Sequence, residues 1–187
     1  MASVRKETDA KTLVERGKAF AAVGDPTRAE EYLVSALDAG ADPRDVLPLL
    51  MDVCVRTGRY RSAIQHAENH LRKYPRDRET RLMVGALYVA INEGKLAKVQ
   101  LEQIASSSAG TKSEKEAVRS LAQAHYLLGV VARDTENDVV SADRHFREYL
   151  RLEPTGSHVE EARASLMVRV EPSARPGAGA DEDGGTP

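Results

Sequence analysis

The chain has 187 residues, of which 41% are hydrophobic, 30% are charged and only 4% are aromatic. This is enough apolar mass for one domain or a short repeat array, and the 26 alanines favour close helix–helix contact over sheet packing. The net charge of -2 argues against nucleic acid as a partner, and no apolar run is long enough for insertion into a membrane.

We expect residues 1–8 to be flexible. The segment MASVRKETDAKTLVERGKAF has charges where a secretion signal needs an apolar stretch. The chain also contains one cysteine, which cannot form an intrachain disulfide. Both features predict a cytoplasmic protein. Arginine outnumbers lysine by 19 to 8, which is typical of high-GC bacterial genomes.

Nine helices are predicted by the spacing of apolar residues and by the residues that start and stop helices. The predicted helices span 9–23, 26–39, 45–57, 60–73, 78–93, 95–106, 114–133, 139–152 and 158–169. Gly24 and Gly58 stand where a short turn needs a left-handed residue. Asp25 is a predicted N-cap, and it precedes Pro26 at the first helical position, where the missing N–H of proline costs nothing.

Two helix starts carry a more specific expectation. Because Pro48 stands early in the third helix, we expect that helix to begin near Asp45 and not at Pro43. Ser113 and Glu116 have the spacing of a capping box, which predicts the start of the seventh helix.

The last predicted helix and the segment after it differ in composition. The ninth helix carries one apolar stripe, formed by Val159, Ala162, Leu166 and Val170. A helix that is apolar on one side only is suited to cap a repeat array. Residues 171–187 contain four Gly, three Pro and no large apolar residue, so we expect a disordered tail.

An internal repeat of about 34 residues relates these helices. Small residues recur within it, at Gly17, Ala29, Ala63, Gly85, Ala97 and Ala142. Large residues lie three or four positions away, at Phe20, Leu33, Tyr88, Leu101 and Phe146. Small residues let paired helices approach closely, and large residues fill the spaces between successive pairs.

This pattern resembles the tetratricopeptide repeat (TPR) family, whose unit is a helix–turn–helix of about 34 residues. Four units fit the chain, at 10–43, 44–77, 78–111 and 122–156, followed by the capping helix at 158–169. They define a repeat domain over 9–170. The third unit has its turn glycine, Gly94, two residues late, and the fourth has a longer turn.

The resemblance implies an all-α fold, a right-handed α-α superhelix whose concave groove is lined by the first helix of each repeat. It also implies that a protein or peptide binds in this groove. The residues at the family's groove positions are Val14, Lys18, Ala21, Leu49, Asp52, Val55, Arg56, Leu82, Met83, Ala86, Val89, Tyr126 and Val130. These residues are apolar in the middle of the groove, which suits an amphipathic helix or an extended apolar segment. Alternatively, the chain's own seventh or terminal helix fills part of the groove.

Few residues carry the signature of catalysis or metal binding. The chain has no glycine-rich phosphate loop and no nucleophile elbow. Cys54 lies in mid-helix at the place of a packed aromatic, which predicts a buried and unreactive thiol. His66 and His70 are four residues apart on a helix, a spacing that can bind a metal, but no third ligand is evident and a packing role is the main interpretation. We therefore predict no enzyme, no cofactor and no metal.

The predicted function is that of a non-enzymatic adaptor or scaffold that binds a partner protein, in bacterial signalling, motility or assembly. Two alternatives are a secretion-type chaperone that holds an export substrate and a structural protein that self-assembles. Two basic runs, at Arg56, Arg59 and Arg61 and at Arg72, Lys73, Arg76 and Arg78, are solvated surface or an edge for an acidic partner.

Overall fold

The computed structural model describes residues 9–106 and 114–167, and this part of the chain contains nine helices and no strand. The helices are α1 (Ala10–Ala22), α2 (Pro26–Asp38), α3 (Pro43–Arg56), α4 (Tyr60–Lys73), α5 (Arg78–Ala90), α6 (Gly94–Ala105), α7 (Glu114–Asp134), α8 (Val139–Leu152) and α9 (Val159–Ala164). The predicted all-α fold is confirmed.

Aspartate side chains start most of these helices. In each case a side-chain oxygen accepts a hydrogen bond from a backbone N–H of the first turn, which otherwise has no partner. These N-caps are Asp9, Asp25, Asp42, Asp77 and Asp138. The predicted cap of α2, with Pro26 at its first position, is confirmed.

The predicted start of α3 near Asp45 is wrong, because the helix begins at Pro43. Asp42 accepts a hydrogen bond from Arg44 N at 2.9 Å, and Pro43 takes the first position, where proline loses no hydrogen bond. Pro48 lies inside the helix and exposed to solvent. The first turn is thus fixed by its cap despite the proline that follows.

Left-handed residues make the turns within the helix pairs. Gly24 has φ 78° and Gly58 has φ 70°, which confirms their predicted role. In the third pair Asn92, with φ 60°, takes this conformation. Gly94 is instead the first residue of α6, where a Cβ would lie 2.5 Å from Cγ2 of Thr135. Its function is therefore close packing, and the expectation that Gly94 serves the turn is wrong.

The helices form a solenoid in which each one packs against the next along the chain. Contacts also join α1 to α3 and α5 to α7, so in these two cases the first helices of successive pairs approach one another. The glycines of the repeat allow this packing. A Cβ on Gly17, Gly85 or Gly129 would come within 2.7 Å of a carbon of Leu33, Leu101 or Phe146, respectively.

The C-terminal helix is shorter than predicted, because α9 ends at Ala164 and not at 169. The backbone N–H of Met167 donates to Asp143 Oδ1 at 2.9 Å, and this bond holds the chain against α8 after the helix has ended. Val159 and Ala162 of the predicted stripe are buried, and Leu166 packs beside them. Val170, Ser113 of the predicted capping box, residues 1–8 and the predicted tail lie outside the described residues.

Candidate functional site

The predicted groove residues lie on the first helix of each pair, α1, α3, α5 and α7. On α3 and α5, Leu49, Leu82, Met83 and Val89 are only partly buried, and each packs against the main hydrophobic core. Ala86 lies among them on α5 and is also partly exposed. Leu82, Met83, Ala86 and Val89 share one side of α5, because helical residues three or four positions apart lie on the same face. Together with Leu49 of α3 they are here named the strip.

The first repeat adds Val14 and Ala21 on α1, which pack against the same core. Lys18, between them, is exposed, and its ammonium group lies 3.0 Å from Glu15 Oε1.

Charged and exposed side chains flank the strip on α3. Arg56 forms an ion pair with Asp52, one turn earlier on the helix. Val55 beside this pair is 36% exposed. The apolar strip therefore has charged groups along one side.

Tyr126, the predicted groove residue of the fourth repeat, is buried beneath the C-terminal helix. Its hydroxyl donates to Glu161 Oε2 at 2.6 Å, and its ring stacks on His158 with 4.0 Å between centroids. Val130 packs in the same C-terminal cluster. At this end of the molecule α9 packs over Tyr126, a residue that the repeat pattern assigns to the groove.

A cleft of about 1540 Å³ opens beside the strip, at residues that share no pattern in the sequence from which it could be predicted. Its walls are the loops before α3 and α5, the C-terminal half of α4, and Glu116 and Ser120 of α7. Pro48 and Met83 line the cleft as well, so the cleft borders the strip at Met83. Helix α7 begins about two turns before the fourth repeat, and this extension supplies the wall. The sequence indicated the extension, because the predicted seventh helix is long.

The two basic runs have different environments. Arg72, Lys73 and Arg76 are exposed and line the cleft. Arg78 is buried and donates to the carbonyl of Ile104 at 3.2 Å.

In the other run, each arginine pairs with an acidic side chain. The pairs are Arg56 with Asp52, Arg59 with Glu30 and Arg61 with Glu93. This run forms ion pairs within the protein.

His66 and His70 both line the cleft, but their ring nitrogens pair with different carboxylates. His70 Nε2 lies 2.8 Å from Asp77 Oδ2, across the turn between α4 and α5. His66 Nε2 lies 2.9 Å from Glu30 Oε1, on α2. Glu30 was missed because it comes from the preceding repeat, and the spacing of residues on one helix gives no signal for it.

Cys54 is fully buried near Glu30, which confirms its predicted burial. Burial, and then the negative charge of Glu30, raise the pKa of the Cys54 thiol to about 11. The thiol is therefore protonated, and unreactive, at neutral pH.

Comparison with known proteins gives a fold and no closer relationship. No protein-family profile matches the sequence, and no curated protein matches it significantly. YrrB, a TPR protein with an unusual peptide-binding site, is 17% identical, with a TM-score of 0.63 over 84% of this chain and 75% of that one. MamA from Desulfovibrio magneticus RS-1 is 21% identical, with a TM-score of 0.62 over 83% of this chain and 84% of its own.

A tetratricopeptide repeat protein from Parabacteroides merdae ATCC 43184 is 19% identical, with a TM-score of 0.62 over 84% of this chain and 58% of that one. Within the described residues, none of the helices has the length and hydropathy required to cross a bilayer. The stacked helix pairs, their glycine contacts and these three similarities agree: the chain has the fold of a tetratricopeptide repeat protein.

Proposed function

We propose that the protein is a non-enzymatic, cytoplasmic adaptor that binds a helix or an apolar segment of a partner protein on its inner surface. The observation that carries this proposal is the strip formed by Leu49, Leu82, Met83, Ala86 and Val89, whose side chains are partly exposed on α3 and α5 and pack against or beside one core. A partner that covers this strip would remove apolar area from water, which is the main favourable term in such contacts.

The surroundings of the strip support a protein ligand. The cleft beside it carries both signs of charge, for example Arg76 and Glu79, which can orient a partner that also bears charged groups. The strip itself has no hydroxyl, thiol or imidazole group to act on a bound molecule. YrrB, which shares the fold, is described as having a peptide-binding site, and this likeness favours the same class of ligand here.

Photo-crosslinking in the native host tests the proposal. A photoreactive amino acid replaces Met83 on the strip, and in a control it replaces Met167, which is exposed near α9. We expect a specific adduct from position 83 and none of the same mass from position 167. Equal labelling of the same protein from both positions would contradict binding at the strip.

Two substitutions that replace alanine by glutamate then measure the contribution of the strip to partner binding. Ala86→Glu places a carboxylate on the strip without removing a core side chain, and Ala164→Glu makes the same change at an exposed site on α9. We expect Ala86→Glu to abolish the crosslink from position 83 and Ala164→Glu to preserve it, with native helicity in both. A crosslink to a folded protein indicates an adaptor, whereas a stoichiometric unfolded substrate indicates the alternative, a secretion-type chaperone.

Self-assembly is a second candidate function, because the even-numbered helices also expose apolar residues. Leu96 and Val99 on α6 are 46% and 52% exposed, and Val139 and Val140 on α8 are 58% and 66% exposed. If these residues mediate assembly, light scattering shows a mass that grows with concentration, and Val140→Asp reduces it. A monomer at every concentration would exclude this function.

A further inference from the structure

A cluster of three side chains, here named the Glu30 cluster, joins the first two helix pairs. It consists of Glu30 from α2, Cys54 from α3 and His66 from α4. One carboxylate oxygen, the sulfur and one imidazole nitrogen all lie within 4.8 Å of one another. Neither the groove proposed above nor the comparisons assign any role to this cluster.

The cluster occupies a position where the repeat elsewhere has an aromatic ring. Cys54 lies 34 residues after Phe20 and 34 residues before Tyr88, and these three are equivalent positions of the first helix. At the second position the ring is replaced by a thiol, beside which the carboxylate and the imidazole lie. Three groups that can bind a metal thus converge where packing alone would favour an aromatic side chain.

Arg59 fixes the orientation of the carboxylate. Its Nη1 forms an ion pair with Glu30 Oε2, its Nη2 donates to the carbonyl of Pro26 at 3.2 Å, and its Nε donates to Thr57 Oγ1 at 3.0 Å. The other oxygen, Oε1, is therefore directed toward His66 and Cys54. Side chains that hold a ligand in this way commonly orient metal sites in proteins.

We propose that the Glu30 cluster is a zinc site, in which Cys54 Sγ, His66 Nε2 and Glu30 Oε1 bind the ion and a water completes a tetrahedron. Thiolate, imidazole and carboxylate are the three protein ligands that Zn²⁺ prefers, and a sulfur ligand selects against Mg²⁺ and Ca²⁺. On binding, the Cys54 thiol releases its proton to solvent, so the thiolate and the carboxylate together balance the two charges of the ion.

Two properties follow from the surroundings of the site. Arg59 adds a positive charge next to the metal, and one of the three protein ligands is a thiolate, so we expect weaker binding than at a site of four cysteines. Affinity should also rise with pH. Because the ligands come from α2, α3 and α4, the bound ion would join three helices and raise the Tm of the protein.

Cobalt(II) substitution gives a direct test, because Cys54 is the only cysteine in the chain. We expect the intact protein to develop the visible bands of tetrahedral cobalt and a near-ultraviolet thiolate-to-cobalt charge-transfer band. Added zinc should abolish both, and zinc should raise the Tm. Any thiolate band must arise from Cys54, so this signal identifies the ligand.

Substitutions separate this site from others in the chain. Cys54→Ser should remove the charge-transfer band, and His66→Gln and Glu30→Gln should each weaken cobalt binding by at least about tenfold. The matched control is His70→Gln, on the same helix as His66, because His70 pairs with Asp77 outside the cluster. His145→Gln is a second control, since His145 faces another histidine. Both controls should bind cobalt as the unmodified protein does.

Three results would overturn the proposal. The first is no cobalt binding by the unmodified protein, and the second is binding without a charge-transfer band, which places the ion elsewhere. The third is undiminished affinity in His66→Gln. If Glu30→Gln fails to fold, the spectrum and the zinc-dependent Tm of the unmodified protein still decide the outcome.

Discussion

Glycine at the crossing points of the helices determines how closely the pairs pack. A Cβ on Gly85 would lie 2.6 Å from Cδ2 and 2.8 Å from Cγ of Leu101, which is itself fully buried. We therefore expect Gly85→Ala to lower the free energy of unfolding by about 1–2 kcal/mol, because an overpacking cost of about 2–3 kcal/mol exceeds the gain of about 1 kcal/mol in helix propensity. Urea denaturation monitored by circular dichroism measures the change.

A double-mutant cycle shows whether the loss comes from this contact. Leu101→Val shortens the facing side chain, so Gly85→Ala should cost less in that background than in the unmodified protein. Equal costs in the two backgrounds would assign the loss to a cause other than contact with Leu101.

A pair of histidines makes stability depend on pH. His125 Nδ1 and His145 Nδ1 are 3.0 Å apart, and Arg144, Lys98 and Asp138 also act on His145. Burial, followed by the charge of His125, lowers the pKa of His145 from 6.5 to about 4. Between pH 6.5 and 4 the folded protein therefore keeps His145 neutral, whereas the unfolded chain takes up a proton on this residue. The contribution of His145 to the free energy of unfolding is thus fully present above pH 6.5 and is lost as the pH falls toward 4.

We expect the free energy of unfolding to fall as the pH is lowered from 6.5 to 4.5, and His145→Gln to flatten this slope. Carboxylates with lowered pKa values, such as Glu148 and Glu161, lose their contribution only below 4.5, so the two effects occupy different pH ranges. Denaturation curves at several pH values test this. An unchanged slope in His145→Gln would show that other groups cause the dependence.

At the scale of the helix, α3 contains two prolines in different positions. Pro48 lies at the sixth residue, where an ordinary residue would donate to the carbonyl of Arg44. Pro43 lies at the first residue, where an N–H has no helical partner. We expect Pro48→Ala to raise stability by about 1–2 kcal/mol, and Pro43→Ala to give no gain. Thermal unfolding of both variants checks this, and an equal effect of the two substitutions would contradict it.

Most helices were predictable from sequence because their start signals are local. The sequence Asp25-Pro26 specifies the start of α2 through one side chain and one fixed φ angle. The start of α3 was misjudged because Asp42 and Pro43 favour a helix that begins at Pro43, whereas Pro48 disfavours such an early start. The sequence does not show which effect is larger. The turn at Asn92 was missed because glycine is the usual left-handed residue, and the turn was therefore assigned to Gly94, two residues later.

At the scale of the molecule, the contacts between helix pairs in the described residues are mainly between neighbours along the chain, so a local change in stability should remain local. In Gly17→Ala a Cβ would lie 2.6 Å from Leu33 Cγ, which strains the contact between α1 and α2. We expect faster amide hydrogen exchange in α1 and α2 with unchanged exchange in α7 and α8. Mass spectrometry of proteolytic fragments measures it. Equal acceleration throughout would indicate that the array unfolds as one unit.

The period of the repeat also limits what could be predicted about sites. It assigned Leu82 and Val89 to one helix face, because both lie within a single repeat and follow the helical period. It left open whether the terminal helix covers part of the groove, where Tyr126 was placed, and it gave no signal that Glu30 would meet Cys54 and His66. These contacts join residues of different repeats, and their partners depend on how the pairs stack in three dimensions.

The contact between Tyr126 and α9 also bears on how such an array could lengthen by duplication. A helix pair added after α8 would have to displace α9, which now occupies the face where that pair would stack. A unit inserted between α4 and α5 would meet helices of the same kind on both sides. A duplicated helix pair would therefore be accommodated more readily within the array than after α8, where α9 would have to move.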